Sequence, residues 1–304
     1  MTTRRGLVRA MPSVFVLIWS TGFIAARYGM PHAPPFTFLV MRYALSLLCF
    51  GLWVALARIK LPQDRRQWVH LAVVGMLIHA GYLGGVWAAV KAGIGAGTVA
   101  LLVGLQPVLT ALWMSLFSAP RGAVAPARVS ALQWLGLVLG LAGLTLVVWD
   151  KLGGGELGPM NLALATFALL SITIGTLYQK RFVAPCDVRS AGAIQLAAAL
   201  VVTLPFALLE VEPMVWHAEL IGALAWSVFA LTLGGSSLMY LLIQRGAATE
   251  VASLMYLVPP CTAVLAHLLF GEAFTLHMAL GMALTATGVA MVVRAPSRPA
   301  TTGL

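Results

Sequence analysis

An apolar run in the first half of this chain recurs in the second with a proline at the matching place. The run Ala100-Leu101-Leu102-Val103-Gly104-Leu105-Gln106-Pro107-Val108-Leu109-Thr110-Ala111 is answered by Ala252-Ser253-Leu254-Met255-Tyr256-Leu257-Val258-Pro259-Pro260-Cys261-Thr262-Ala263. Pro107 and Pro259 stand 152 positions apart, and Ala100/Ala252, Thr110/Thr262 and Ala111/Ala263 keep that offset. Each run lies in a stretch long enough to cross a bilayer. Each also carries a residue that removes a backbone donor from a helix. A repeat at about half the chain length, with a helix breaker at the matching place, is the mark of a membrane-embedded chain made of two related halves.

Composition supports the membrane setting. Of 304 residues, 61% are hydrophobic and 9% charged, whereas a water-soluble domain carries about 25% charged residues. A soluble fold would have nowhere to put this apolar surface, so the chain is expected to be an integral, all-α membrane protein. Ten apolar spans of about 20 residues fill the length. The first half holds spans at about 11–29, 36–57, 68–90, 96–117 and 130–149. The second holds spans at about 160–180, 188–209, 219–243, 249–270 and 276–294. The two repeats are therefore expected at 11–149 and 160–294. Turn residues mark the breaks, among them Pro31 to Pro35, Leu61-Pro62-Gln63-Asp64, Gly153-Gly154-Gly155 and Glu212-Pro213. Cys49, Cys186 and Cys261 are far apart and odd in number, which predicts free thiols. Arg4, Arg5 and Arg9 precede the first span, which is expected to be retained and not cleaved as a leader.

Charge predicts the orientation. With the N-terminus in the cytoplasm, Arg4, Arg5, Arg9, Arg58, Lys60, Arg65, Arg66, Arg121, Arg128, Lys180, Arg181, Arg189, Arg245, Arg294 and Arg298 fall inside. Those are 15 of the 19 basic residues. Arg27, Lys91 and Lys151 remain outside and Arg42 within a span. Short cytoplasmic loops are enriched in Lys and Arg, so both termini are expected in the cytoplasm. The net charge of +10 then addresses the anionic inner leaflet and not nucleic acid. Five spans per half make the repeats inverted. Gly22/Gly175 and Arg27/Lys180 match at an offset of 153, and Gly136/Gly281 and Gly143/Gly288 at 145. The drop in offset places an insertion in the loop from Pro120 to Ser130.

The order of these features is similar to a known family. Trp19-Ser20, then Gly93-Ile94-Gly95-Ala96-Gly97 before Leu105-Gln106-Pro107, then Leu257-Val258-Pro259 followed by Gly271-Glu272 and Gly281, resemble the EamA domain. That domain occurs twice in ten-span members of the drug/metabolite transporter superfamily, and the resemblance covers about residues 11 to 294. It implies a bacterial inner-membrane permease that exports amino acids or related metabolites, similar in architecture to the YddG-like amino-acid exporters. Family members often carry a Glu after span 4 as well as after span 9. Here Glu272 is present, but its partner position holds Pro120.

Ionisable groups at membrane depth are costly and therefore candidates for function. Arg42, early in span 2, either snorkels to headgroups or turns its guanidinium to the cavity to hold a substrate carboxylate. His79 and Tyr82 share a helix face in span 3, continued by Val86 and Trp87. His79 either bonds to a neighbouring helix or carries a coupling proton. Trp19 and Ser20 in span 1, Thr173 and Tyr178 in span 6, Ser237 and Tyr240 beside Ser236 in span 8, Tyr256 in span 9 and Gln106 in span 4 complete the candidate lining. Such hydroxyl, amide and indole groups suit a zwitterion or a small polar-aromatic solute, although Ser and Thr also join helices. Pro107 and Pro259 are candidate hinges or static kinks. Gly81-to-Gly85 and Gly136-to-Gly140 are close-packing surfaces, with dimerisation as the other reading.

Catalysis is not expected, because no histidine pairs with an intramembrane acid and no P-loop is present. No metal or cofactor site stands out. A channel would need a ring of charge or an ordered filter, neither of which is visible. The expectation is a secondary transporter that moves small organic solutes outward through spans 1, 3, 4, 6, 8 and 9. Its partners would be that substrate, membrane lipid and a proton, and its state a monomer or weak homodimer. The alternatives are a channel-like facilitative carrier and a multidrug or lipid-type exporter of apolar cations.

Overall fold

The residues at its ends show why each apolar run starts and stops where it does. The structure, a computed structural model, describes residues 2–106, 108–110, 113, 131–152, 157–244 and 257–294, and among these there are helices and loops but no strand. Helix α1 spans Thr2–Gly29. Helix α2, Pro35–Leu56, opens on a proline, in a first turn that needs no amide donor. Helix α3, Arg65–Lys91, starts at Asp64, whose carboxylate accepts the Arg66 amide at 2.9 Å. Helix α4 is Ala96–Val103, α5 Ala131–Leu152 and α6 Pro159–Phe182. Helix α7, Val188–Leu209, is capped by Asp187 through the Arg189 amide. Helix α8 joins Ala218–Trp226, Ser227–Ser236 and Ser237–Gln244 in succession. Helix α9, Val258–Phe270, ends at Gly271 with φ of 64°, a left-handed turn that favours glycine. Helix α10 is Leu276–Arg294.

Five of these helices are long and apolar enough to cross a membrane: Pro35–Leu56, Arg65–Lys91, Pro159–Phe182, Val188–Leu209 and Ala218–Tyr240. Val14–Gly29 and Val258–Phe270 are shorter apolar helices. Leu48, Val201, Leu208 and Leu268 stand exposed on the outside. In water a monomer rarely shows so much apolar surface, whereas lipid tails accept it.

Contacts between the halves come in matched pairs. Helix α2 lies on α7, α4 on α9, and α5 on α10; α3 against α6 is answered by α8 against α1. The glycines sit at these crossings. A Cβ on Gly22 would touch Leu231, and one on Gly175 would run into Ile78, residues that are themselves 153 apart. A Cβ on Gly143 would meet the Gly281 backbone, and one on Gly288 the Gly136 carbonyl. Gly81 and Gly85 take Ser171 and Ala168 of α6 into van der Waals range. Both glycine spacings are therefore engaged within the chain.

Two stretches depart from α-helix at matching places. Gly75–Leu83 in α3 and Ser227–Ser236 in α8 are π-helical, and positions 228–236 follow 75–83 by the same 153. A wider turn loosens the backbone ladder and recurs at functional positions. Here hydroxyls take up the slack. Tyr43 donates to the His79 carbonyl at 2.6 Å, Thr232 to that of Ser227 at 2.8 Å, and Ser236 to that of Leu231 at 3.3 Å.

Charged groups gather at the two ends of the bundle. At one end Glu210 accepts the Phe36 and Thr37 amides, Lys91 meets Glu212, and His32 meets Glu219. Glu272 caps α4 there through the Ala96 and Gly97 amides, with Arg27 at 4.0 Å. This acid is thus a helix cap between the halves. At the opposite end Gln67 binds both backbone groups of Ala184, and Arg189 pairs with Asp187 and lies over Trp53.

Candidate functional site

Between the halves lies a cavity of about 720 Å3, open solvent included. One wall is the π stretch of α3 and the turn after it, with Ile78, His79, Tyr82, Leu83, Val86 and Trp87. The facing wall is the same part of α8, with Leu231, Ser236, Met239 and Tyr240. Ile78/Leu231, Leu83/Ser236, Val86/Met239 and Trp87/Tyr240 are all pairs at the 153 offset. Helix α1 adds Trp19, Gly22 and Phe23, and α2, α6 and α7 add Arg42, Gln179 and Gln195. A smaller cavity of about 300 Å3 adjoins it. That one shares His79, Gln195, Ser236 and Tyr240, and continues along Phe50, Val188 and Gly192 toward the basic end of the bundle.

The polar groups cross from half to half. The Arg42 Nε donates to Thr232 Oγ1 at 3.0 Å, and Gln195 is the side-chain neighbour of His79. Gln195 stands 153 positions after Arg42 and Thr232 stands 153 after His79, so the two contacts are counterparts. Each contact is made by a residue of α2 or α7 reaching a π stretch of the other half. The Arg42 guanidinium also lies 6.0 Å from the centre of the Trp87 ring, which stacks on Phe38 at 4.3 Å. Burial around the site is nearly complete, with Arg42 4%, His79 7% and Tyr82 4% exposed.

Several sequence candidates meet here and others do not. Trp19, Arg42, His79, Tyr82, Trp87 and Tyr240 line the main cavity, and Ser237 lines the smaller one. Arg42 is buried instead of snorkelling, because its side of α2 faces the other helices and not the lipid. The Ser20 hydroxyl donates to the Val16 carbonyl at 2.7 Å, with the Val258 carbonyl at 3.5 Å, and the Ser20 carbonyl receives Thr262 of α9. Thr173 donates to Leu169 O, a bond within one helix turn. Gln106 donates to Thr176 and so ties the residues after α4 to α6. Tyr178 bonds His70 at 2.8 Å near the basic end, away from the main cavity. Tyr256 and Pro107 lie outside the described residues. Pro259 sits in the first turn of α9, where a missing amide costs no intrahelical bond, so within the described helix it is a start and not a mid-span kink. Among the described residues the main cavity is lined from α1, α2, α3, α6, α7 and α8, and much of the expected fourth and ninth spans lies outside those residues.

Gln179, Gln195 and Thr232 were not singled out from the sequence. The signal was available: Gln195 and Thr232 are the repeat counterparts of Arg42 and His79. Cys49, Cys186 and Cys261 are free thiols, and the Cys186 sulfur lies 3.1 Å from the Tyr240 hydroxyl.

Comparison with known proteins shows which family the chain belongs to. The profile of the EamA-like transporter family matches residues 11–149 and 160–294. The chain is 26% identical to the uncharacterized transporter YvbV of Bacillus subtilis over 95% of this chain and 92% of that one. It is 27% identical to the uncharacterized inner membrane transporter YedA of Escherichia coli, covering 86% and 82%. It is 25% identical to a probable amino-acid metabolite efflux pump of Salmonella typhimurium, covering 90% of each. A solved crystal structure superposes with a TM-score of 0.65 at 20% identity, covering 92% of this chain and 94% of the other, and shares the fold.

Proposed function

The chain belongs to the EamA-like transporter family, and from that premise we propose that it is a secondary carrier exporting small organic solutes, amino acids or related metabolites foremost. Ten crossings in two inverted five-helix repeats, 11–149 and 160–294, rock about the central cavity. Both termini lie in the cytoplasm of a bacterial cell, and the protein is a multi-pass component of the inner membrane. The family and its relatives are transporters by name, which speaks against an enzyme. The bias of basic residues to one side in the sequence supports the orientation.

One observation carries this reading: a cavity whose opposing walls are the same π-helical stretch of the two repeats. A site shared by two matched halves is what alternating access requires, since neither half encloses it alone. The efflux-pump relative from Salmonella typhimurium supports amino-acid metabolites as cargo. Trp19, Tyr82, Trp87, Gln195 and Tyr240 supply stacking faces and hydrogen bonds for such solutes. Arg42 argues against cargo that is an apolar cation, because a fixed positive charge repels it. His79 is the candidate for a coupling proton. The glycine surfaces are engaged inside the chain, which favours a monomer over the weak homodimer.

Reconstitution into liposomes with labelled amino acids tests the proposal. At least one amino acid is expected to cross at a rate above protein-free vesicles, and Tyr82→Ala is expected to slow it. Equal rates with and without protein for the whole panel overturn the reading. Flux that ignores an imposed pH gradient removes proton coupling and with it the role of His79.

A further inference from the structure

Arg42 is an arginine in the interior of an apolar helix, 4% exposed, with its guanidinium on the central cavity. Among the described residues its one hydrogen bond runs from Nε to Thr232 Oγ1, at 3.0 Å. Among the described residues no carboxylate pairs with Arg42, and nothing accepts from its two terminal nitrogens. Among the described acids, Glu210, Glu212, Glu219 and Glu272 are engaged at one end of the bundle, and Asp64 and Asp187 cap helices at the other. A buried guanidinium without a counter-ion is expensive in a protein and more so within hydrocarbon, so such groups are kept where they bind something.

The surroundings describe what that something is. The guanidinium is planar and forked, and two free terminal nitrogens match the two oxygens of a carboxylate. Thr232 fixes the third nitrogen, so the fork is aimed before cargo arrives. The face of Trp87 at 6.0 Å, with Trp19 and Tyr82 on the same cavity, suits an apolar or aromatic body beside the charged end. The counterpart of Arg42 in the second repeat is the neutral Gln195, which gives the cavity one anion site instead of two.

We propose that Arg42 holds the carboxylate of the cargo, so that the solutes carried are small monocarboxylates with an apolar or aromatic body. Thr232 acts as the positioning residue for this contact. The assignment rests on the carrier role proposed above for the same cavity.

Phenylalanine, phenylalaninamide and phenethylamine keep the aromatic body while the carboxylate is present, masked or absent. Flux of each into and out of proteoliposomes, and binding of each to the purified protein by calorimetry, separate the outcomes. The acid is expected to bind and move at least about tenfold better than the other two, the scale of one charge-assisted hydrogen bond. Arg42→Gln is expected to erase that preference and Arg42→Lys to keep part of it. Thr232→Val is expected to weaken the preference for the acid over the amide, by less than Arg42→Gln does. If all three probes move alike in the unmodified protein, transport stands and the Arg42 assignment falls. If the acid alone binds but none moves, the assignment stands and the carrier role falls. If none binds or moves, both fall.

Discussion

The first repeat brings charge to the centre and the second brings only neutral polar groups. Arg42 reaches Thr232, and at the counterpart position Gln195 lies beside His79. The apolar parts of the two walls match closely: Ile78 faces Leu231 by repeat position, Val86 matches Met239, and aromatic Trp87 matches aromatic Tyr240. Shape is thus held in common, and the π stretch recurs in both. The difference lies in what each half does with one polar position on α2 or α7. Rocking two halves requires similar frames, but binding one solute requires only one set of anchoring groups. The pattern here separates those demands.

Backbone packing distinguishes the two halves most strongly. The Gly75 Cα lies so close to α7 that a Cβ would collide with the Gln195 carbonyl, whereas its counterpart Val228 already carries a side chain. Gly75→Ala is expected to cost about 3 kcal/mol, because the obstacle is backbone and cannot swing away. Val228→Ala is expected to cost about half of that as a simple truncation. Thermal unfolding in detergent compares the two; equal losses would mean that the halves are packed alike at this crossing.

Moving the charge sharpens the comparison. Arg42→Gln is expected to lose about 2 kcal/mol of binding for a carboxylate probe, the worth of a hydrogen bond to a charged group. Adding Gln195→Arg to that variant is expected to restore part of it, since the two positions are repeat counterparts around one cavity. Calorimetry on the single and double variants reads the recovery. No recovery would show that the anchor depends on surroundings that only the first half supplies.

The carboxylate caps come next in size. Glu210→Ala and Glu272→Ala each release amides at a helix start, of α2 and α4 respectively. Each is expected to cost about 1 kcal/mol. The smallest effect belongs to Asp187, whose carboxyl is held below its ordinary value by hydrogen bonding to Arg189. A lowered acid stabilises the fold above its unfolded-state range and loses that contribution as pH falls through the lowered value. Asp187→Asn is therefore expected to cost a few tenths of a kcal/mol near neutral pH, for a partly exposed pair. The difference should vanish in strongly acidic solution. Melting curves across pH check the sign.

Much of this architecture was legible in the sequence because it rests on short patterns. Apolar length marks the spans, and glycines at fixed offsets mark the crossings, since only glycine lets Gly143 and Gly288 approach another backbone. The lining was legible where an aromatic or ionisable residue interrupts an apolar run, as at Trp19, His79, Tyr82 and Trp87. It was not legible for hydroxyls. Ser20 and Thr173 can satisfy themselves on the preceding turn, and nothing in their neighbours says which way they point. From the sequence alone Arg42 has two destinations, because the side of α2 that faces protein is set by packing on α7. The π stretches carry no pattern of their own, and with them went Thr232. Gln195 and Gln179 were passed over among the many apolar residues of α7 and α6, although the offset that pairs Gly22 with Gly175 also leads from Arg42 to Gln195.

On the carrier role proposed above, two matched halves open one cavity to either side in turn. Cysteines placed singly at Val86 and Met239, with Cys49, Cys186 and Cys261 replaced, test it by labelling with a membrane-impermeant maleimide from each side of oriented vesicles. Both positions are expected to react from both sides, with transported solute shifting the balance between them. Labelling of both from one side only, under every condition and unchanged by solute, would contradict the account.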